Sequence, residues 1–221
     1  MDAIALGEYS DRWINRYLPY REGALPRGLE RAMIEDLAEV LDAHCAPITA
    51  SPRLWGWKEP RSIYLLPLLR DHLPGLRFLH VVRDGRDMAL SLNQNQLRKH
   101  ADAAGISAAL PEPVRSIALW SWINTETARY GAERLGDGYL RIRFEDLCAS
   151  PGETSRRVLA FFGLDGDTDA ALEEVVPPAT LGRWRAANPA LVRELEREAG
   201  DALDALGYER SSVRGRTADS R

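Results

Sequence analysis

At 221 residues, 45% of them hydrophobic, the chain suits one domain with a single core, or one domain with a lid. A formal net charge of −4 and a pI near 5.7 argue against general nucleic-acid binding. No apolar run reaches the ~20 residues of a membrane span, and Met1 to Gly7 is short and carries no positive charge, which is not how a secretory signal reads.

Cys45 and Cys148 lack metal-ligand spacing and point to reduced thiols in a cytoplasmic protein. Of the 29 basic residues only Lys58 and Lys99 are lysines, so Lys58 stands out. Residues 1 to 27 mix Trp13, Tyr17 and Tyr20 with Arg12, Arg16 and Arg21, and an amphipathic helix fits 10 to 18. Gly28 to His44 reads as a clearer helix on Leu29, Met33, Leu37, Val40 and Leu41, with Glu30, Glu35, Asp36, Glu39 and Asp42 on its solvated face. Leu54 to Trp57 predicts a short strand entering Lys58-Glu59-Pro60-Arg61. Pro60 suits the first position of a helix running to His72, which Pro67 kinks or shortens.

Phe78 to Val82 is an apolar, β-branched run of the kind that forms a buried strand, with His80 as a core histidine. Arg83 stands where that strand ends. Asp84 can cap a helix, and Asp87 three residues on can reach back to the open backbone amide. That helix is expected to run to about His100, placing Ser91 on its second turn. Ligands of parallel α/β sheets bind at the carboxyl ends of strands. Arg83 therefore lies where an anion would, beside a helix amino terminus that also favours negative charge. The plain alternative is an Arg-Asp turn that only caps a helix.

Residues 101 to 113 read as a loop or lid, and Val114 to Leu135 as a long helix with Trp120 and Trp122 in the core. Tyr139 to Phe144 alternates as a strand does. Ser150-Pro151 opens a helix that Gly163 ends. Asp169 to Val176 predicts a helix stopped by Pro177-Pro178. Ala190 to Leu206 predicts an amphipathic helix capped by Gly207, and Glu209 to Arg221 a disordered tail.

Arg83 to Ser91, with Phe78-Leu79-His80-Val81-Val82 before it, resembles the 3′-phosphate-binding motif of the sulfotransferase family. These enzymes take a sulfuryl group from 3′-phosphoadenosine 5′-phosphosulfate (PAPS). The resemblance covers residues 53 to 206 and is weak before residue 50. It implies a helix-rich α/β domain over 1 to 208, three-layered and P-loop-like, with a parallel sheet. It implies that Arg83 and Ser91 hold the 3′-phosphate and that Lys58, in a Lys-x-Pro segment, faces the transferred group. Glu59 would accept the acceptor's proton; the plain alternative is a surface turn in which Glu59 pairs with Arg61. Phe144, before a Glu-Asp pair, would lie near the adenine. Gly182, Arg183 and Arg185 would close over the 3′-phosphoadenosine, although the family's Lys-Gly start is absent there.

The family's Gly-rich loop for the 5′-phosphosulfate has no counterpart, since Gly23-Ala24-Leu25-Pro26-Arg27-Gly28 has no strand before it and no Ser or Thr after it. The sheet is then expected to lack its first central strand, either because the chain is a fragment or because the member is degenerate. The expected activity is PAPS-dependent transfer to a small-molecule, glycan, lipid or peptide acceptor bearing a hydroxyl or amine, with no metal and no nucleic acid. The competing expectation is a non-catalytic 3′-phosphoadenosine-binding or interaction module. A nucleotide kinase is disfavoured by the missing Walker lysine.

Overall fold

Helix boundaries in a computed structural model of the chain, which describes residues 8–20, 28–45 and 55–211, follow the caps and prolines of the sequence closely. The Gly23–Arg27 stretch, Leu54 and all but the first residues of the expected tail lie outside the described residues. A π-helical turn at Ser10–Ile14 packs on α1 (Leu29–Cys45), which buries Met33, Leu37 and Leu41 at intervals of four. Asp36, expected to face solvent, instead accepts from Trp13 Nε1 at 2.7 Å and from Arg12 Nη1 at 2.8 Å. The Trp13 hydrogen bond and the Arg12 charge hold its carboxyl below the usual range.

Trp55 to Trp57 form no strand. Their rings stack on each other at 5.7 Å, and Trp57 Nε1 donates to Ser62 Oγ, so the segment is organised by side chains rather than by a ladder. The expected helix from Arg61 to His72 is split. Pro60–Tyr64 makes a 3₁₀ turn capped by Glu59, and α2 (Leu66–His72) starts afresh with Pro67 in its first turn. Pro67 has no N–H for the preceding turn, and its ring excludes the carbonyl four residues back, so one α-ladder cannot run through.

β1 (Phe78–Val82) pairs in parallel with β2 (Tyr139–Arg143), from Phe78 opposite Tyr139 to Val82 opposite Arg143. Among the described residues the sheet has these two strands only, so the fold is α/β but dominated by helices. After β1 the expected single helix is two: α3 (Gly85–Ala89) and α4 (Asn95–His100). The break has a polar cause. Gln94 Nε2 donates to the carbonyls of Met88, Ala89 and Ser91, Ser91 Oγ accepts from the Asn93 amide, and Asn93 Oδ1 accepts from the Asn95 amide. Short polar side chains thus satisfy the backbone groups that a continuous helix would have paired internally. Ser91 consequently lies in the break and not on a second helical turn.

α5 (Glu112–Tyr130) continues through a π-helical turn to Leu135 and divides the core. Leu119 and Ile123 face the cluster built with α1 and α2. Val114, Ile117 and Trp120 face a second cluster with Val82, Ala89 and Leu195, Ala199 and Leu203 of α9 (Pro189–Leu206). Each fully buried leucine here stabilises the fold by about 1.5–3 kcal/mol. Gly85 shows how close α5 comes to the end of β1: a Cβ there would run into the Trp120 indole. The remaining helices are α6 (Phe144–Ala149), α7 (Pro151–Phe162) with Gly163 as left-handed cap at φ +67°, and α8 (Asp169–Glu174). No described helix is long and apolar enough to cross a membrane.

His80 is a core histidine, as its alternation predicts. It is buried between Tyr139 Oη at 2.7 Å and Asn124 Oδ1 at 2.9 Å, and burial pulls its pKa from 6.5 to about 4. Between those two values the unfolded chain takes up a proton that the folded chain refuses, so stability is full above pH 6.5 and falls as the pH drops towards 4. The expected loss from this residue between pH 7 and pH 5 is about 2 kcal/mol. Urea midpoints at the two pH values measure it, and a His80→Asn chain with an equally steep loss would refute the assignment.

Candidate functional site

The parallel register sets the carboxyl ends of β1 and β2 side by side, so the residues that follow them, Arg83 and Phe144, become neighbours. The Arg83 guanidinium carbon stands 5.5 Å from the centre of the Phe144 ring, within reach of a cation–π attraction. Arg83 Nη2 donates to the Thr180 carbonyl at 2.7 Å and to Thr180 Oγ1 at 3.1 Å. Its backbone carbonyl accepts from Trp120 Nε1, which ties the strand end to α5. Arg83 Nε is buried and has no hydrogen-bond partner among the described residues. A buried guanidinium donor left open in this way is costly unless something else accepts from it.

Asp84 caps α3 as expected, its carboxylate accepting from the Arg86 amide at 2.9 Å. The reciprocal half of the expected capping box is absent. The Asp84 amide donates to Glu145 Oε1 instead, and Asp87, 1% exposed at its side chain, turns to the late loop. Asp87 Oδ2 accepts from the Gly182 amide at 2.6 Å and Oδ1 from the Trp184 amide at 3.1 Å. Tertiary proximity has outcompeted the local partner, because Glu145 follows the adjacent strand and already holds that amide.

The Thr180–Arg185 loop is thereby folded over Arg83. Gly182 sits at φ +71°, a conformation that favours glycine. Arg183 reaches the Leu90 carbonyl at 3.3 Å and the Thr180 carbonyl at 3.3 Å, while Arg185 is exposed with its guanidinium 4.8 Å from the Trp184 ring. Of the expected binding residues the structure therefore joins Arg83, Phe144, Gly182 and Arg183 in one cluster, with Arg185 at its rim. Ser91 begins the break just after Leu90, and its hydroxyl proton has no acceptor among the described residues.

Lys58 and Glu59 share no hydrogen bond with that cluster. Lys58 is exposed. Glu59 pairs with Arg61, whose amide and Nε both donate to its Oε1 at 3.1 Å. Burial alone would push the Glu59 carboxyl up, but the Arg61 hydrogen bonds and the charges of Arg61 and Lys58 outweigh it and hold the carboxyl below its usual range.

Beneath the loop lies Arg86, 2% exposed at its side chain, which the sequence did not mark. It meets Asp84 through two nitrogens, Glu196 of α9 at 2.6 Å and the Glu209 carbonyl at 3.0 Å, and the Trp184 ring covers it at 3.6 Å. Burial works against its charge, but hydrogen bonds and charge from Asp84 and Glu196 win and raise its pKa. Tyr208 joins the same scaffold, with its hydroxyl 3.0 Å from the Val82 carbonyl and 2.9 Å from Glu145 Oε2.

The sequence profile of the sulfotransferase family matches residues 6–169. The chain belongs to the sulfotransferase family. A solved sulfotransferase domain from the curacin biosynthetic pathway superimposes with a TM-score of 0.54 over 83% of this chain and 71% of that one. At 13% identity this likeness shows the fold, which is the P-loop-like α/β fold. A search among curated proteins found no match.

Membership sharpens what the sequence missed. Thr180, Glu145 and Arg86 each hold a part of the cluster, and Asp87 bonds the Gly182 and Trp184 amides and not the amide of Asp84. The one signal for Asp87 and Arg86 was the doubled Arg-Asp pair at 83–84 and 86–87; nothing local marked Thr180. For the family's donor PAPS, the open Nε of Arg83 and the uncommitted proton of Ser91 suit a 3′-phosphate. Among the described residues, no Gly-rich turn is seen to cradle the 5′-phosphosulfate.

Proposed function

We propose that this sulfotransferase-family chain moves a sulfuryl group from PAPS to a hydroxyl or amine on a small-molecule, glycan, lipid or peptide acceptor, without a metal. The observation that carries the reading is Arg83: a cation at the carboxyl end of a parallel strand, with an open buried donor, under a loop bearing two further arginines. In this reading Arg83, Ser91 and Arg183 hold the 3′-phosphate, Phe144 borders the adenine, and Gly182 and Arg185 close the turn over it. The bond between sulfur and the bridging oxygen breaks as the acceptor oxygen or nitrogen bonds to sulfur. Lys58 steadies the charge that develops on the bridging oxygen, and 3′,5′-adenosine bisphosphate leaves. Glu59 takes the acceptor's proton on Oε2, which carries no hydrogen bond among the described residues.

The second reading, a non-catalytic 3′-phosphoadenosine-binding module, is supported by the Glu59–Arg61 pair, which makes Glu59 a weaker base. Radiolabelled PAPS separates the two. Transfer of label to any member of a broad acceptor panel, falling about 10²- to 10³-fold in Lys58→Ala, is the expected result. Bound donor with no transfer to any acceptor would decide for the binding module.

A further inference from the structure

Among the described residues, Asp87 is the one buried carboxylate that touches both halves of the proposed phosphate site. Its two oxygens accept the Gly182 and Trp184 amides, and Arg83 Nη2 stands 3.5 Å from Oδ2. A carboxylate this deeply buried is tolerated only where donors or cations meet it. Here the donors are the backbone of a loop 95 residues further along the chain, and the cation is the proposed phosphate-binding arginine. The loop's other anchors are side-chain ones, the hydrogen bonds from Arg83 to Thr180, the Trp184 ring over Arg86 and the 3.3 Å reach of Arg183 to Leu90, whereas Asp87 holds the backbone amides of Gly182 and Trp184.

We propose that Asp87 is a positioning residue that gives the site its selectivity for a nucleotide carrying a 3′-phosphate. The proposal rests on the donor-site reading above. Asp87 fixes the Thr180–Arg185 turn and Arg83 to one point, so that Arg83 and Arg183 meet the same dianion in a set geometry rather than as two independent cations. An asparagine keeps the shape but turns one acceptor into a donor. Its NH₂ then faces a backbone N–H, so one of the two amides is released, and the partial charge opposite Arg83 is lost. A nucleotide with a bare 3′-hydroxyl meets the turn only through its adenosine and is affected far less by the change.

The test is calorimetric titration of wild type and Asp87→Asn with 3′,5′-adenosine bisphosphate and with adenosine 5′-monophosphate. The expected result is a fall of tenfold or more in the ratio of the two affinities, bisphosphate binding weakening far more than monophosphate binding. A ratio equal to wild type, whether both nucleotides bind as before or weaken in parallel, overturns the proposal and leaves the donor site standing. A wild-type chain that does not prefer the bisphosphate overturns the donor-site reading and this proposal with it. If Asp87→Asn does not fold, hydrogen exchange in the wild type gives the answer. Bisphosphate should slow exchange of the Gly182 and Trp184 amides and monophosphate should not; amides indifferent to bisphosphate overturn the proposal.

Discussion

Arg83→Ala is expected to bind 3′,5′-adenosine bisphosphate about thirtyfold more weakly than wild type. That is the ~2 kcal/mol that charge-assisted hydrogen bonds to a phosphate contribute. The structural duty of the side chain is smaller: it is one of three groups facing Asp87, and the Gly182 and Trp184 amides remain there without it. It is 22% exposed, and its present acceptors are a carbonyl and a hydroxyl of one loop residue, Thr180. Its carbonyl, which does hold Trp120, is untouched by the substitution. The variant should therefore stay folded and unfold at a modestly lower urea concentration than wild type, while losing the ligand. Calorimetry with bisphosphate, run beside a urea melt, reads both. Undiminished affinity in a folded Arg83→Ala chain would remove Arg83 from the site. Equal weakening of adenosine 5′-monophosphate would show that Arg83 acts on the loop rather than on the 3′-phosphate.

Arg86→Ala is expected to cost about 3–5 kcal/mol of stability, because it leaves two buried carboxylates without their cation. Asp84 is 7% and Glu196 9% exposed at the side chain, and this guanidinium bonds both, with the Ser211 amide and hydroxyl as the further donors to Glu196. For a chain of this size the melting temperature should fall by about 6–20 °C. Lost packing against Trp184 is the smaller part, and Arg86→Met tests this by keeping the apolar stem under the indole. If charge dominates, Arg86→Met melts nearly as low as Arg86→Ala, and adding Glu196→Gln recovers part of the loss. A double-mutant cycle over Arg86 and Glu196 gives the coupling. An Arg86→Ala chain within ~1 kcal/mol of wild type would mean that water or rearrangement relieves the two acids, and the account of the network would be wrong.

The two substitutions separate two arginines that lie three residues apart in one turn. Arg83 directly follows an apolar run, and the end of such a run is visible without a structure. Beyond the repeated Arg-Asp pair nothing local distinguishes Arg86, because a charged residue in the first turn of a helix is ordinarily solvated. Only the approach of α9, with Glu196, and of the segment at Glu209 encloses it.

The family, the α/β class and most helix ends were legible because their causes are local. Leu37 and Leu41 repeat at helical spacing. Pro60 forces a helix start, Gly163 and Gly207 take left-handed caps, and Tyr139 to Arg143 alternates, whereas Pro67 reads locally as a kink and the structure makes it a fresh start. The break at Ser91 was local too but misread, since a run of short polar side chains can bond the backbone as well as solvate a helix face. What the tertiary structure alone decided was pairing. Thr180 lies 97 residues from Arg83, Gly182 95 from Asp87, and Glu196 110 from Arg86. A carboxylate or guanidinium bonds equally well to any donor or acceptor of the right kind. Its partner is therefore set by which distant segments the packed core brings within 3 Å, and that distance is not written in the residues on either side of it.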